Sequence, residues 1–329
     1  MQDSVKKIKV GIIGGAGYTG GELLRILLNH PQVRLSFVHS NSHAGHFLYE
    51  VHTDLFGDTE IRFTDEISQD IDVLFLCVGH GDARKFLENQ PIADGIKIID
   101  LSQDFRLRSS SSGHFVYGLP ELQREAIKGA DRIANPGCFA TCIQLALLPL
   151  AKAGILRHPV HIAATTGSTG AGQSLSSTSH FSWRNNNLSV YKPFGHQHLK
   201  EITQSLNLLG SPLHADALHF IPYRGDFTRG IMASVYTECD LNQDDAQKLF
   251  DDYYSGHPFT HVSPRNIDLK QVVNTNKCLL HVEKHDNKIL ILSVIDNLLK
   301  GASGQAVQNM NLLFGLDEKE GLRLKAVGF

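Results

Sequence analysis

The chain has 329 residues, enough for two domains that each bury a core of their own. Hydrophobic residues make up 42% and charged residues 20%, as in ordinary globular proteins, and a formal net charge of -3 gives no electrostatic ground for a nucleic-acid partner. No apolar run is long enough for a membrane span, so no membrane association is expected, and five cysteines are too few and too odd a set for a disulfide framework. Cys138 and Cys142 have no second Cys/His pair at zinc-ligand spacing beside them, so no metal is expected. Met1 to Lys7 leads directly into a strand with no targeting segment, and the expected location is a reducing cytoplasm. There is no internal repeat, and Ser109 to Ser112 reads as a loop.

Ile8 to Ile13 reads as the first strand. It runs into Gly14-Gly15-Ala16-Gly17-Tyr18-Thr19-Gly20-Gly21 and then a helix over Glu22 to Asn29, with Leu23, Ile26 and Leu27 on one face. Strand, glycine-rich turn and helix in that order fit a dinucleotide-binding fingerprint. The glycines let backbone approach a pyrophosphate, and the helix N-terminus supplies donors to it. A second strand, Val33 to His39, is followed by Ser40-Asn41-Ser42-His43, where an NAD site would carry an acidic residue. The missing carboxylate leaves room for a 2′-phosphate and leans the reading to NADP, although no Arg stands in that turn. Ile71 to Val78 is a nearly continuous apolar run, as in a parallel strand covered on both faces. Ile96 to Asp100 is another strand. Strands and helices alternate to about residue 135, which predicts a parallel α/β domain.

Asn135-Pro136-Gly137 then forms a tight turn into an apolar helix. Cys138 falls at the start of that helix, where the dipole and unpaired N–H groups favour a thiolate. It reads either as a nucleophile or as a small buried hydrophobe. Val160 to Thr165 reads as a strand opening into Thr166 to Gln173, a loop rich in backbone and hydroxyl donors that reads as an anion nest or as a flexible surface loop. His196-Gln197-His198 precedes a helix; a general acid/base role for one of the two His is sharper than a metal site, which lacks a third ligand. Ile231 to Cys239, Cys278 to Lys284 and Lys288 to Ile295 read as strands, the last two as a hairpin. Pro222 to Gly230 reads as a connection between strands, carrying Arg224 and Arg229 as candidates for a carboxylate or phosphate. A Gly-Ala-Ser-Gly turn at 301–304 leads to a helix ending near Phe314. An α+β second domain with a mixed or antiparallel sheet is the expectation.

Taken in order, these stretches resemble the N-acetyl-gamma-glutamyl-phosphate reductases of the aspartate-semialdehyde dehydrogenase superfamily. The resemblance rests on Gly14 to Gly20, Asp100 to Arg106, Tyr117 to Glu121, Asn135 to Cys138, Gly167 to Gly172, His196 to His198 with Glu201, Arg229-Gly230 and Asp296 to Ala306. It implies a Rossmann-type NADP-binding domain of residues 1–137 and 298–329, and a catalytic and dimerisation domain of residues 138–297. It further implies a cytoplasmic homodimer or homotetramer that reduces an acyl phosphate with NADPH in arginine biosynthesis.

On that resemblance Cys138 attacks the acyl phosphate and forms a thioester, and His196 serves as acid/base. Gly14, Ala16, Gly17, Tyr18, Thr19, Gly20, Ser40 and Ser42 would bind the dinucleotide, with Asn297 and Lys300 near the nicotinamide. Ser168, Gly170, Gln173, His198, Glu201 and Arg229 would bind the substrate. The chain departs from the family pattern at Gln173, where many relatives carry Arg, at Phe139-Ala140, at Asn41 and at Tyr223. Lost positive charge near the acyl site points to a changed substrate tail. The alternatives are the same chemistry on an N-succinylglutamyl phosphate, or another acyl-phosphate reductase of the superfamily.

Overall fold

The computed structural model describes residues 7–108, 114–211 and 213–328. The loop expected at Ser109 to Ser112 and the N-terminal residues 1–6 lie outside these. The chain divides into two compact units: one of residues 1–118, 123–135 and 302–323, the other of residues 119–122, 136–301 and 324–329.

The first unit is a parallel α/β layer. Its elements are β1 Ile8–Ile13, α1 Tyr18–Leu27, β2 Val33–His39, α2 Leu48–Val51, β3 Val73–Leu76, α3 Asp82–Asn89, β4 Lys97–Asp100, β5 Val116–Tyr117, α4 Pro120–Lys128 and β6 Arg132–Ala134. The strand order is β2-β1-β3-β4-β6-β5, and every pairing is parallel. All four residues of β3 are buried, as expected of a central strand with helices on both faces. Helix α1 begins at Tyr18, not at Glu22, so Gly20 and Gly21 lie inside it. Their low helix propensity hides that start from a reading by residue type. Helix α4 is kinked at Gln123, with φ -150° and ψ 49°, where the chain passes from one unit to the other.

The second unit is built on α5 Cys138–Lys152, in which every residue from Phe139 to Ala151 is buried. It continues with β7 Val160–Thr166, α6 Phe181–Arg184, β8 Ser189–Val190, α7 His198–Leu208, β9 Leu218–Arg224 and β10 Ile231–Glu238. Then come α8 Gln243–Tyr254, β11 Thr260–Ser263, β12 Cys278–His285 and β13 Lys288–Ile295. These strands form a mixed sheet ordered β11-β12-β13-β10-β7-β9-β8. β7 with β9 and β11 with β12 are parallel; the other pairs are antiparallel. Asp286, with φ 48°, turns the β12–β13 hairpin.

Two local expectations are corrected. Pro222 to Arg224, expected in a connection, close strand β9, which pairs along its whole length with β7. A proline in a strand argues against that assignment from sequence; here its carbonyl still accepts the N–H of Tyr191 at 3.1 Å. The turn expected at 301–304 is a π-helical turn, Leu299–Ser303, that runs straight into α9 Gly304–Leu313. Its wide bond, from the N–H of Gly301 to Asp296 O, is 2.9 Å. Helix α9 returns to the first unit. No helix among the described residues is long and apolar enough to cross a membrane.

Candidate active site

Within the second unit, Cys138 is the first residue of α5, and Gly137 precedes it in extended conformation. The Gly137 N–H donates to Glu201 Oε2 at 3.0 Å, so a carboxylate from α7 grips the turn immediately before the thiol. A side chain at 137 has no room: a Cβ there would lie 2.3 Å from His198 Nε2. The backbone also needs glycine at 301, where a Cβ would stand 2.8 Å from Cys138 Cβ. Cys138 is thus pinned on one side by the π-turn and on the other by the His198–Glu201 pair. It is partly exposed, whereas Cys77, Cys142, Cys239 and Cys278 are buried. Burial pushes the Cys77 and Cys278 thiols up to about 12 and the Cys142 thiol well above its ordinary value, so none of these three is a nucleophile.

His196 is buried and stands against His198, Phe139, Phe220 and Tyr191, with ring centroids 4.6, 5.5, 5.4 and 5.8 Å away. Burial, then the charges of His198 and Lys192, lower its pKa to about 3. It is therefore a neutral imidazole near pH 7. Its Nδ1 accepts the N–H of His198 at 3.2 Å, which places the ring proton on Nε2. His196 is a hydrogen-bond donor through Nε2, not a stored imidazolium.

Several expected substrate or cofactor residues are engaged in holding this unit together. Glu201 and His198 are buried, with Glu201 Oε1 3.8 Å from His198 Nε2. Arg229 forks onto Asp296, at 3.1 and 3.3 Å. Asp296 also accepts the N–H groups of Asn274, Leu298 and Leu299 at 2.8, 2.8 and 3.1 Å. Asn297 accepts the Gly230 N–H at 2.7 Å and donates to Thr169 Oγ1 at 3.0 Å. Lys300, expected near the nicotinamide, is wholly buried with its ammonium 2.8 Å from Glu121 Oε1. The loop of residues 166–173, read as an anion nest or a surface loop, spends several of its backbone donors within the protein. The N–H groups of Gly167, Ser168 and Thr169 already donate to Gly230, Phe227 and Thr228 carbonyls at 2.9, 2.8 and 3.1 Å. Ser168 is half-buried, and Gly170 and Gln173 are exposed on that loop.

The dinucleotide turn lies within the first unit. Gly14, at φ 79°, is forced by a carbonyl: a Cβ there would be 2.5 Å from Cys77 O. Gly15 and Gly20 are equally crowded, by Val38 Cγ1 at 2.3 Å and Gly15 O at 2.7 Å. Gly17 differs, since the nearest atom to its Cβ would be Gly14 O at 3.8 Å. The packing of the fold therefore leaves room for a side chain there. Ala16, Tyr18 and Thr19 complete the turn, and Ser303 Oγ donates to Thr19 O at 2.8 Å. After β2, Ser40 and Ser42 turn their hydroxyls to His43 Nδ1, at 3.3 and 2.9 Å. His43 was not anticipated, though its place directly after Ser42 was the available signal.

The 100–106 segment explains how the turn before Cys138 is approached. Arg106 Nε donates to Asn135 O at 2.8 Å, and the Asn135 N–H donates to Asp100 O at 2.8 Å. Asp100 is fully buried; burial raises its pKa to about 6 against its hydrogen bonds from Ser102.

Comparison with known proteins gives this architecture a family. The profile of the semialdehyde dehydrogenase NAD binding domain matches residues 9–130, and that of the semialdehyde dehydrogenase dimerisation domain matches residues 138–297. The chain therefore belongs to the semialdehyde dehydrogenase family. Among curated proteins, it is 57% identical to an N-acetyl-gamma-glutamyl-phosphate reductase of Phocaeicola vulgatus, over 98% of this chain and 100% of that one. It is 59% identical to the enzyme of that name from Azobacteroides pseudotrichonymphae, over 98% and 100%. The Christiangramia forsetii protein of the same name is 58% identical, over 97% and 99%. Among solved structures, aspartate semialdehyde dehydrogenase II of Vibrio cholerae superposes with a TM-score of 0.73 at 19% identity, covering 94% of this chain and 99% of that one. The Candida albicans enzyme solved with NADP gives 0.65 at 14%, with coverage of 94% and 99%. These two share the fold.

Proposed function

We propose that the chain is an NADPH-dependent N-acyl-gamma-glutamyl-phosphate reductase of arginine biosynthesis. Curated relatives that match it almost end to end carry the name N-acetyl-gamma-glutamyl-phosphate reductase. The observation that carries the chemistry is the partly exposed Cys138 at the start of a buried helix, its turn gripped by Glu201 and its backbone packed on Gly301. The Cys138 thiolate attacks the γ-acyl carbon; a C–S bond forms, the C–O bond to phosphate breaks, and phosphate leaves with the electron pair. NADPH, when bound, supplies hydride to the thioester carbonyl. The C–S bond then breaks, releasing the semialdehyde and restoring the thiolate. The His196 Nε2–H donates to the acyl oxygen as charge develops there, together with the N–H groups at the start of α5.

Gly17 and the first turn of α1 would hold the pyrophosphate, and Ser40 and Ser42 would face the 2′-phosphate. The absence of an acid after β2 is consistent with NADP. Arg229, Asn297 and Lys300 serve by holding the loop and π-turn in place; Ser168, Gly170 and Gln173 line the approach. Leu175, Phe181, Leu188, Val190 and Phe194 are exposed around the edge strand β8. They offer a face for a second copy, and a homodimer in the cytoplasm is the proposed state. The test is the reverse reaction with N-acylglutamate semialdehyde, phosphate and NADP⁺, following reduced cofactor. Turnover by the wild type and none by Cys138→Ala is expected; normal turnover by Cys138→Ala would sink the scheme.

A further inference from the structure

His52 is buried beside the glycine-rich turn of the first unit, and the scheme above gives it no task. It closes the short helix α2, in the segment between β2 and β3. Its ring meets the turn through one hydrogen bond, from Nε2–H to Gly15 O at 2.8 Å. A carbonyl only accepts, and burial lowers the His52 pKa, so near pH 7 the ring is neutral with its one proton on Nε2. The 3₁₀ turn that follows, Thr53–Leu55, is tied to α1 by Asp54, which accepts a forked pair of hydrogen bonds from Arg25. The imidazole therefore reaches the turn from a segment that is itself docked on the helix.

Position 21 records the same contact from the other side. Gly21 lies inside α1, beyond the last glycine of the dinucleotide fingerprint, where glycine is unfavourable. A Cβ there would stand 2.6 Å from His52 Cε1 and 2.7 Å from its Nδ1, so the helix gives up a side chain to admit the ring. Gly20 meets the same carbonyl: its Cβ would be 2.7 Å from Gly15 O. The Gly15 oxygen is thus held between α1 and His52. The Gly15–Ala16 peptide is trans, so the Ala16 N–H points the opposite way, and among the described residues no acceptor takes it. Two successive glycines, Gly14 at φ 79° and Gly15, leave this backbone free to rotate unless something anchors it. A carbonyl oxygen turned outward would face the anion that a helix N-terminus attracts.

We propose that His52 is a positioning residue for the dinucleotide: by holding the Gly15 carbonyl inward, it keeps that oxygen out of the space the cofactor pyrophosphate fills and turns the Ala16 N–H towards it. This rests on the reading of Gly14 to Gly20 as the pyrophosphate turn. His52 itself touches no cofactor atom; it acts through the Gly15–Ala16 peptide. A histidine that merely filled space would serve every part of the cofactor alike, whereas this one serves the pyrophosphate alone.

The experiment titrates NADPH and adenosine 2′-monophosphate, which lacks the pyrophosphate, into the full-length wild type, His52→Leu, His52→Gln and Gly21→Ala by calorimetry. Leucine keeps bulk without the donor, glutamine keeps a donor near the place of Nε2, and alanine at 21 displaces the ring. The NADPH Kd should rise about tenfold in His52→Leu and Gly21→Ala and stay within about twofold of wild type in His52→Gln. The Kd of adenosine 2′-monophosphate should be unchanged in all three, which also shows that they are folded. In the reverse reaction the KM for NADP⁺ should rise in His52→Leu, with kcat and the semialdehyde KM retained. An unchanged NADPH Kd in His52→Leu, an equal rise for both ligands, or a glutamine variant as weak as the leucine one would overturn the proposal. A wild type that bound no NADPH would overturn the reading of the turn, and this proposal with it.

Discussion

Replacing Lys300 with Met separates a structural role from a cofactor-binding one. Both Lys300 and Glu121 have fully buried side chains, with Nζ and Oε1 2.8 Å apart. Thr260 Oγ1 donates to the same carboxylate oxygen at 2.8 Å. Methionine keeps most of the stem volume but leaves the Glu121 carboxylate buried with only a neutral donor. Breaking one side of a buried pair costs about 3–5 kcal/mol. With a urea m-value of about 3 kcal/mol/M, the unfolding midpoint should fall by about 1–1.7 M. The single tryptophan, Trp183, lies in the second unit, so its fluorescence follows the unit that contains the pair. Burial pushes the Glu121 carboxyl up, but the charge and hydrogen bond of Lys300 outweigh it, and the net shift is downward. A depressed acid contributes stability above its unfolded pKa, near 4.5, that is lost as pH falls through the folded value. In Lys300→Met the Glu121 pKa rises instead, so the deficit should shrink between pH 7 and pH 5 as the carboxyl takes up a proton. Glu121→Gln/Lys300→Met should recover most of the loss. A single variant within about 0.5 kcal/mol of wild type, or a double variant no better than the single, would refute the reasoning. Unchanged stability with a raised NADPH Kd would return Lys300 to the nicotinamide.

Three further substitutions test the division of labour among small residues and rings. Gly14→Ala should destabilise the first unit, because its Cβ would meet Cys77 O at 2.5 Å with φ at 79°, while Gly17→Ala should unfold normally and bind NADPH more weakly; calorimetry of NADPH binding beside urea unfolding separates the two. For His196, whose folded pKa of about 3 lies below its ordinary 6.5, the native state takes up fewer protons than the unfolded one in that window, so stability falls as pH drops through it. His196→Asn should flatten that acid limb in urea titrations, and an equally steep limb in the variant would count against a buried neutral imidazole.

The alternation of apolar strands with a glycine turn made the first unit legible, because periodicity and turn chemistry are local. The mixed sheet of the second unit was legible only as a class. β9 was hidden by Pro222 and by its polar residues, whose suitability depends on having β7 alongside. Cys138 was readable because a Pro-Gly turn before an apolar run announces a helix start. What the surrounding residues do was not readable from position. Glu201 and His198 are close in space to the turn that carries Cys138, yet the structure shows them bonded to and packed on Gly137, a contact spanning 64 residues in the case of Glu201. Arg229 similarly finds its acid 67 residues away. Such long-range partners decide whether a charged side chain is free for a ligand, and no local pattern records them.

Helix α5 is both the mount of Cys138, the proposed nucleophile, and a deeply enclosed segment of its unit, with thirteen consecutive residues buried. A change along it that altered the aim of Cys138 would also open a cavity or force an overlap in the core. Evolutionary change of substrate is therefore channelled away from the helix. It falls to the rim, to residues 173–194 and 222–230, most of which are exposed or half-buried and among which Tyr191 and Arg224 are found. New specificities within this scaffold should differ there while leaving the helix sequence nearly untouched, and laboratory selection for new acyl substrates has its productive library in those two segments.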